Sequence, residues 1–245
     1  MLIAQVSDIH ASPENDHLQR FDRVLTWLTY LRPDILVLSG DLTDGPWREG
    51  YIKIAARLKQ QSYPSLVLPG NSDDRHLMRS LWGEDKWSPD TSTGALHFTH
   101  DFRTLRLIGL DTTVDKEDYG SVAEHIEWLD KQLRNAKSSP VLLFMHHHVF
   151  ETGIPKLDKS MCRGLGQLEA LIKCTSARLL AISAGHVHRP VAGTFARIPA
   201  YICGSICPAN PLWFGTKNIP PVGDSPALMI HRYASSNLTS HHVCV

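Results

Sequence analysis

The sequence predicts an α/β fold of mixed α+β type, and three observations carry that expectation. Apolar runs of strand length alternate with segments of helical period through the first part of the chain, which implies parallel strands joined by crossovers. Five short polar clusters each follow such a run, at the strand ends where open α/β sheets place their chemistry. After Gly185 the pattern changes to short strands without intervening helices, which suggests hairpins and a second sheet. With 245 residues, 42% of them hydrophobic, the chain can bury a sizeable core. No linker divides it, so 1–245 reads as a single domain.

The candidate core strands are the apolar runs 2–6, 35–38, 65–68, 105–110, 141–145 and 179–183. Between the early ones lie helical segments: 18–31, with Phe21, Val24, Leu25 and Leu28 on one face, then 47–60 and 74–82. Further helices are expected over 121–135, where Ile126, Leu129 and Leu133 recur at helical spacing, and over 165–174. Short strands follow at 191–197, 199–203, 227–233 and 238–243. The stretch 204–223, rich in Pro, Gly and Asn, reads as a long loop near the active site, and 151–163 as a lid over it.

Lys plus Arg number 25 and Asp plus Glu number 25, so no overall field draws the protein to nucleic acid or an anionic membrane. Neither partner is expected, and the substrate should be small; a homo-oligomer is compatible with the sequence. No apolar stretch reaches the ~20 residues that span a bilayer, and the run at 2–6 is too short for a secretory signal. The cysteines, Cys162, Cys174, Cys203, Cys207 and Cys244, are odd in number and lack zinc-ribbon spacing. They fit reduced thiols and a cytoplasmic location.

The polar clusters are Asp8-Ile9-His10, Gly40-Asp41-Leu42-Thr43-Asp44, Gly70-Asn71-Ser72-Asp73, His146-His147 and Gly185-His186-Val187-His188. Asp8 and His10 turn to one face if the strand conformation persists, so carboxylate and imidazole can share an ion. Gly40 permits a tight turn that pushes Asp41 into a site, where its two oxygens can bridge two ions. Asn71 offers a neutral amide oxygen. Of the histidines ending the run 141–145 only one need bind, and the others can orient it or meet substrate. His186 and His188, on one extended stretch, can reach two adjacent ions. Asp8, His10, Asp41, Asn71, His146, His186 and His188 together suit two metals ~3.5 to 4 Å apart, which clamp the attacking and leaving oxygens at phosphorus. Two divalent ions carry about +4 against roughly −2 from the aspartates, and a bridging hydroxide leaves a net near +1, matched to a phosphodiester anion. Mixed N and O donors favour Mn, Fe, Co or Zn.

The motifs D-x-H, GDxxD, GN, H and GHxH, spanning Asp8 to His188, resemble those of the calcineurin-like metallophosphoesterases. Within them, Pro69 to Arg75, Met145 to His148 and Thr152 to Pro155 are similar to class III cyclic-nucleotide phosphodiesterases and their glycerophosphodiesterase relatives. The resemblance implies a four-layer αββα sandwich of two mixed β-sheets flanked by helices. It implies one metal on Asp8, His10, Asp41 and His188, a second on Asp41, Asn71, His146 and His186, and a metal-bridging hydroxide as nucleophile. Asp41, Asn71 and His147 are then the expected catalytic residues, and Asn71, His147 and His188 the substrate contacts; His146 is preferred to His147 as the ligand because it comes first after its strand.

One position departs from that pattern: the subfamily's Gly-Asn-His-Asp has Ser72 in place of the histidine, a poorer proton donor. His147, His76 or metal-bound water are the expected substitutes. Asp73, Asp74 and Arg75 fit a helix N-terminus as well as a substrate role, and Asp44 and Asp111 are candidates for orienting ligands. The expected reaction is hydrolysis of a small phosphodiester, a 3′,5′-cyclic nucleotide first, then glycerophosphodiesters, then monoesters. His97, Phe150, Trp213 and Phe214 are candidates for a base-binding wall. A non-catalytic binding scaffold is disfavoured because all seven ligand positions are filled.

Overall fold

In the computed structural model, residues 1–89, 94–215, 219–220 and 223–245 are described. Strands β1 (Leu2–Val6), β2 (Ile35–Ser39) and β3 (Ser65–Leu68) run parallel, joined by α1 (His17–Leu31) and α2 (Arg48–Lys59), with α3 (Arg75–Trp82) after them. A second sheet is built from β4 (Phe98–Phe102), β5 (Leu105–Leu110), β7 (Val141–Met145), β9 (Leu179–Ala184), β10 (Val191–Phe195) and β11 (Ile198–Ile202). Its order is β10-β11-β9-β7-β5-β4, parallel through the middle and antiparallel at both edges. Helices α4 (Ile126–Asn135) and α6 (Leu165–Cys174) belong to this half, and β6 (Gly120–Ser121) and β8 (Cys162–Arg163) form a small parallel pair, with the short α5 (Pro155–Asp158) between.

The period-2 alternation of strands separates the apolar residues into layers. Ala4, Val6, Leu36 and Leu38 face α1 and α2 with Phe21, Leu28, Tyr51 and Ile54. Their neighbours Ile3, Ile35 and Val37 face inward and meet Leu107, Leu142 and Phe144 of the other sheet. Val141, Leu143 and Met145 turn the other way, onto Leu129 and Leu133 of α4 and Leu168 of α6. Helices, sheet, sheet, helices is the αββα sandwich the motifs implied.

The last hairpin departs from expectation. Strands β12 (Ala227–Ala234) and β13 (Asn237–Cys244) return to the first sheet, where β12 pairs antiparallel with β1 and gives the order β13-β12-β1-β2-β3. Their sequence pattern was right; their sheet is decided by the open edge of β1, which no local signal encodes. Residues 121–135 are not one helix either. Ser121 is taken by the β6–β8 pair and donates to Glu124 at 2.7 Å, so regular α-helix begins only at Ile126. Strand β4 went unread because Thr99, His100 and Asp101 make it polar and partly exposed at a sheet edge. Part of the expected loop 204–223, at 216–218 and 221–222, lies outside the described residues. Among the described residues no helix is long and apolar enough to cross a membrane.

A small buried polar network centred on Gln5 sits between the apolar layers of the two sheets. Gln5, fully buried, donates to the Ser39 hydroxyl (2.9 Å) and the Ala184 carbonyl (3.1 Å), and accepts from Ser183 and from His231 Nε2 (3.0 Å). These partners come from β2, β9 and β12, so one amide ties both sheets just below the ligand loops. Gln5→Ala strips partners from several buried polar groups, at a cost of about 1–3 kcal/mol. Urea unfolding is expected to show a lowered midpoint at unchanged slope.

Candidate metal centre

The clusters after β1, β2, β3, β7 and β9 meet at one end of the two sheets. Asp8 N donates to Gly40 O (2.9 Å), His10 N to Asp41 O (2.9 Å) and Ala11 N to Leu42 O (3.0 Å), zipping the first two loops together. Gly185 N donates to His146 O (2.9 Å), and His186 N reaches across to the Asp8 carboxylate at 3.0 and 3.1 Å. Extended conformation does not persist past the strands. Asp8, His10, Asp41, His186 and His188 have φ of 56°, 47°, 54°, 70° and 57°, a left-handed geometry that costs a non-glycine residue about 1–2 kcal/mol. Asp8 and His10 therefore reach one donor group, and His186 and His188 two neighbouring groups, through reversed backbone turns, where sequence spacing suggested alternation along a strand. Gly40, at φ +102°, has no room for a side chain: a Cβ there would lie 2.5 Å from His146 Nδ1 and 2.7 Å from Gly70 N.

All seven expected ligands converge. Donor atoms of Asp8, His10, Asp41 and His188 lie within 4.8 Å of one another, and those of His146, His147 and His186 form a second such group. Asn71 Oδ1 joins the latter, 3.1 Å from His146 Nε2. The two groups share Asp41: its Oδ1 accepts from Ser72 N (2.8 Å), while its Oδ2 lies 3.1 Å from His10 Nε2 and 3.3 Å from His146 Nε2. A single oxygen stands between the groups, where sequence reasoning had allotted one oxygen to each.

The hydrogen bonds behind the rings fix which nitrogens point inward with bare lone pairs. His10 Nδ1 donates to Asp44 Oδ1 (2.6 Å), and His146 Nδ1 donates to the Ser39 carbonyl (2.8 Å). His188 Nδ1 contacts Cys207 Sγ (3.3 Å), whose thiol can in turn donate to Pro208 O (3.6 Å). In that arrangement His10 Nε2 and His188 Nε2 face each other at 3.0 Å, and His146 Nε2 faces two oxygens. Acceptors do not approach acceptors in a buried site unless a cation lies between them. The donor set, imidazole and carboxylate with one amide, fits divalent transition metals.

Without a metal, protons take that role. Burial opposes charge on His10, but hydrogen bonding and attraction from Asp41 carry its pKa up to about 10; at His146, burial is likewise overcome by Asp41, giving about 9. Burial alone would raise Asp41, yet His146 and His10 hold it well below the usual carboxylate range. Deeper in, burial and the neighbouring His146 push His186 down to about 3, and burial with His186 and His146 keeps His147 uncharged.

Some of the residues that support the donors were read in the sequence, and others, Tyr51, Cys207 and Ser160 among them, were not. Asp73 accepts from Gly70 N (2.9 Å), Leu42 N (3.0 Å) and Tyr51 Oη (2.9 Å), clamping the second and third loops around Asp41. Asp74 caps α3 through Leu77 N (2.9 Å), the structural reading of that position. Asp44 orients His10 as expected. Asp111 instead accepts from Leu96 N and Thr113 N, in the neighbouring segment. The Ser72 hydroxyl donates to Thr43 O (2.8 Å), so its proton is committed. Cys207 and Ser160, which touch His188 and His186, carry no sequence signal beyond being small and polar.

A cavity of 780 Å³ opens over the donors His10, Asp41, Asn71, His186 and His188, with walls from Glu117, Asp118 and Tyr119, from the 154–160 segment and from Asn210, Pro211 and Trp213. Arg163 stacks on the Tyr119 ring, its Cζ 3.2 Å from the ring centre. Of the four expected wall residues, only Trp213 is among the described lining; His97 is buried against Trp128 and His125, Phe150 packs under Gly193, and Phe214 lies exposed beside Gly153.

A family model, calcineurin-like phosphoesterase, matches residues 1–190. The chain belongs to that family. Calcineurin-like phosphoesterases depend on a dinuclear metal centre, and the donor groups above are the residues available to hold one. The chain is 30% identical over 201 residues to a probable glycerophosphodiester phosphodiesterase of Arcobacter nitrofigilis, covering 77% of this chain and 72% of that protein. It is 26% identical over 199 residues to the 3′,5′-cyclic adenosine monophosphate phosphodiesterase of Escherichia coli, covering 76% and 69% respectively. In fold it is similar to a dimetal phosphatase from Danio rerio, with a TM-score of 0.76 at 13% identity over 99% of this chain and 95% of that one.

The raised histidine pKa values make a prediction about metal uptake. Stability from protonated His10 and His146 is full below their ordinary pKa of 6.5 and is lost as pH rises through about 9 to about 10. At pH 8 the metal-free site therefore holds protons that a metal must displace. Calorimetry with Mn²⁺ in buffers of different ionisation heat is expected to show net proton release, with affinity rising from pH 7 to 9.

Proposed function

We propose that this chain is a two-metal phosphodiesterase for small diesters, with a 3′,5′-cyclic nucleotide as the first-ranked substrate. The observation that carries the reading is the pair of donor groups sharing Asp41 Oδ2, with bare imidazole nitrogens facing other acceptors at about 3 Å. Asp8, His10, Asp41 and His188 would hold one ion, and Asp41, Asn71, His146 and His186 the other, as Mn, Fe, Co or Zn. Bound divalent ions supply a nucleophile active at neutral pH and neutralise charge developing at phosphorus.

The chain's own groups do the rest. Asn71 and His188, at the cavity floor, border the phosphate position. His147 is fully buried and is not among the described lining, which speaks against the substrate contact expected of it; its Nε2, which has no hydrogen-bond partner, lies with His146 and His186, so His147 is the alternative to His146 as ligand. Tyr119 and Trp213 offer aromatic walls for a base, and Lys156 and Lys159 attract an anionic substrate. One further observation favours glycerophosphodiesters as a second reading: Glu117 and Asp118 beside Tyr119 suit a cationic amino-alcohol head group. Similarity to the Arcobacter nitrofigilis protein supports it too.

We read 1–245 as one catalytic domain, because the β12–β13 hairpin completes the sheet that carries Asp8 and Asp41. Five free cysteines, three of them buried, suit the cytoplasm. The test is hydrolysis of cyclic nucleotides, glycerophosphodiesters and monoesters with Mn²⁺, Fe²⁺, Co²⁺ and Zn²⁺. Diesters are expected to surpass monoesters, and Asp41→Asn to reduce kcat by more than about 100-fold with every diester. Near-normal turnover by that variant contradicts the shared-ligand assignment.

A further inference from the structure

His186 is held from its outer side by a residue of the cavity wall. Ser160 Oγ lies 2.7 Å from His186 Nε2 and donates its own proton to the Leu157 carbonyl at 2.9 Å. A hydroxyl has one proton, and with that proton spent on Leu157 it receives from His186, so Nε2 carries the hydrogen. His186 Nδ1 is then left bare, and it is the nitrogen free to meet an ion. His148, stacked at 24° on the His186 ring with centres 5.8 Å apart, limits the ring from a second side.

Ser160 belongs to a strap pinned at both ends. Asp158 accepts from Thr152 N (2.8 Å), Thr152 Oγ1 (2.7 Å) and Gly153 N (3.0 Å), closing the turn before α5. Beyond it, Cys162 N donates to His148 O (3.0 Å) and β8 pairs with β6. Between these anchors the strap presents Lys156, Leu157 and Lys159 to the cavity, and among its described side-chain hydrogen bonds only that of Ser160 reaches a ligand.

We propose that Ser160 is a positioning residue that fixes the tautomer and tilt of His186, and that through this bond occupancy of the second ion and the placement of the 155–160 wall are coupled. The proposal rests on the two-ion reading above. Metal on Nδ1 strengthens the Nε2–H as a donor and so tightens the strap. A placed strap in turn presents His186 ready to ligate. The substrate-binding wall is then formed in the loaded enzyme and loosened in the metal-free one.

The test titrates Mn²⁺ into wild type, Ser160→Ala and Ser160→Thr by calorimetry, and follows backbone hydrogen exchange of 155–163 with and without Mn²⁺. In Ser160→Ala the weaker of two dissociation constants is expected to rise about 10- to 100-fold while the tighter one is unchanged, with restoration in Ser160→Thr. Mn²⁺ should slow exchange of 155–163 in wild type and Ser160→Thr, with little effect in Ser160→Ala; KM for a small diester should rise more than kcat falls. Two unaltered dissociation constants in Ser160→Ala, with the same Mn²⁺-dependent protection as wild type, overturn the coupling alone. Fewer than two Mn²⁺ sites in wild type overturn the two-ion reading and the coupling with it.

Discussion

Lone pairs buried against lone pairs govern this molecule. Asp41 Oδ2 faces the Nε2 atoms of His10 and His146 at 3.1 and 3.3 Å, and His10 Nε2 also faces His188 Nε2 at 3.0 Å. Water cannot separate them, and bonds to Asp44 and Ser39 turn the proton-bearing nitrogens of His10 and His146 outward. Only positive charge makes the arrangement stable. The high pKa values of His10 and His146 express the same demand, met by protons when metal is absent.

Meeting that demand requires strain, and the fold is arranged to hold it. Five ligand residues take left-handed backbone conformations, each unfavourable by itself. They persist because adjoining loops over-determine them: the loops after β1 and β2 bond to each other, Asp73 clamps the next, and His186 N is fixed on Asp8. Beneath, Gln5 joins the two sheets whose strand ends supply the ligands, so the distance between the donor groups is set by inter-sheet packing as much as by the loops.

The ligands were legible because each follows an apolar strand, and because Asp, Asn and His in that order have few structural uses at parallel strand ends. The layers were legible for a related reason, since alternation in 2–6, 35–38 and 141–145 assigns each side chain a face. What stayed hidden depends on partners distant in sequence. Nothing near Ser160 or Cys207 shows that it touches a ligand histidine. His97 and Phe150 looked like base-binding aromatics, yet burial beside Trp128 and under Gly193 removes them from the cavity. The sheet assignment of the final hairpin and the left-handed turns at Asp8 and His186 were hidden likewise, because both are set by tertiary contacts.

The central claim is that the two donor groups meeting at Asp41 would hold two ions with Asp41 as their shared ligand. Electron paramagnetic resonance of the protein loaded with two Mn²⁺ per chain tests it most directly, because ions sharing a bridging oxygen are magnetically coupled. The account predicts a coupled-pair spectrum that gives way to isolated Mn²⁺ signals in Asp41→Asn. Two uncoupled Mn²⁺ ions in the wild-type protein would contradict it.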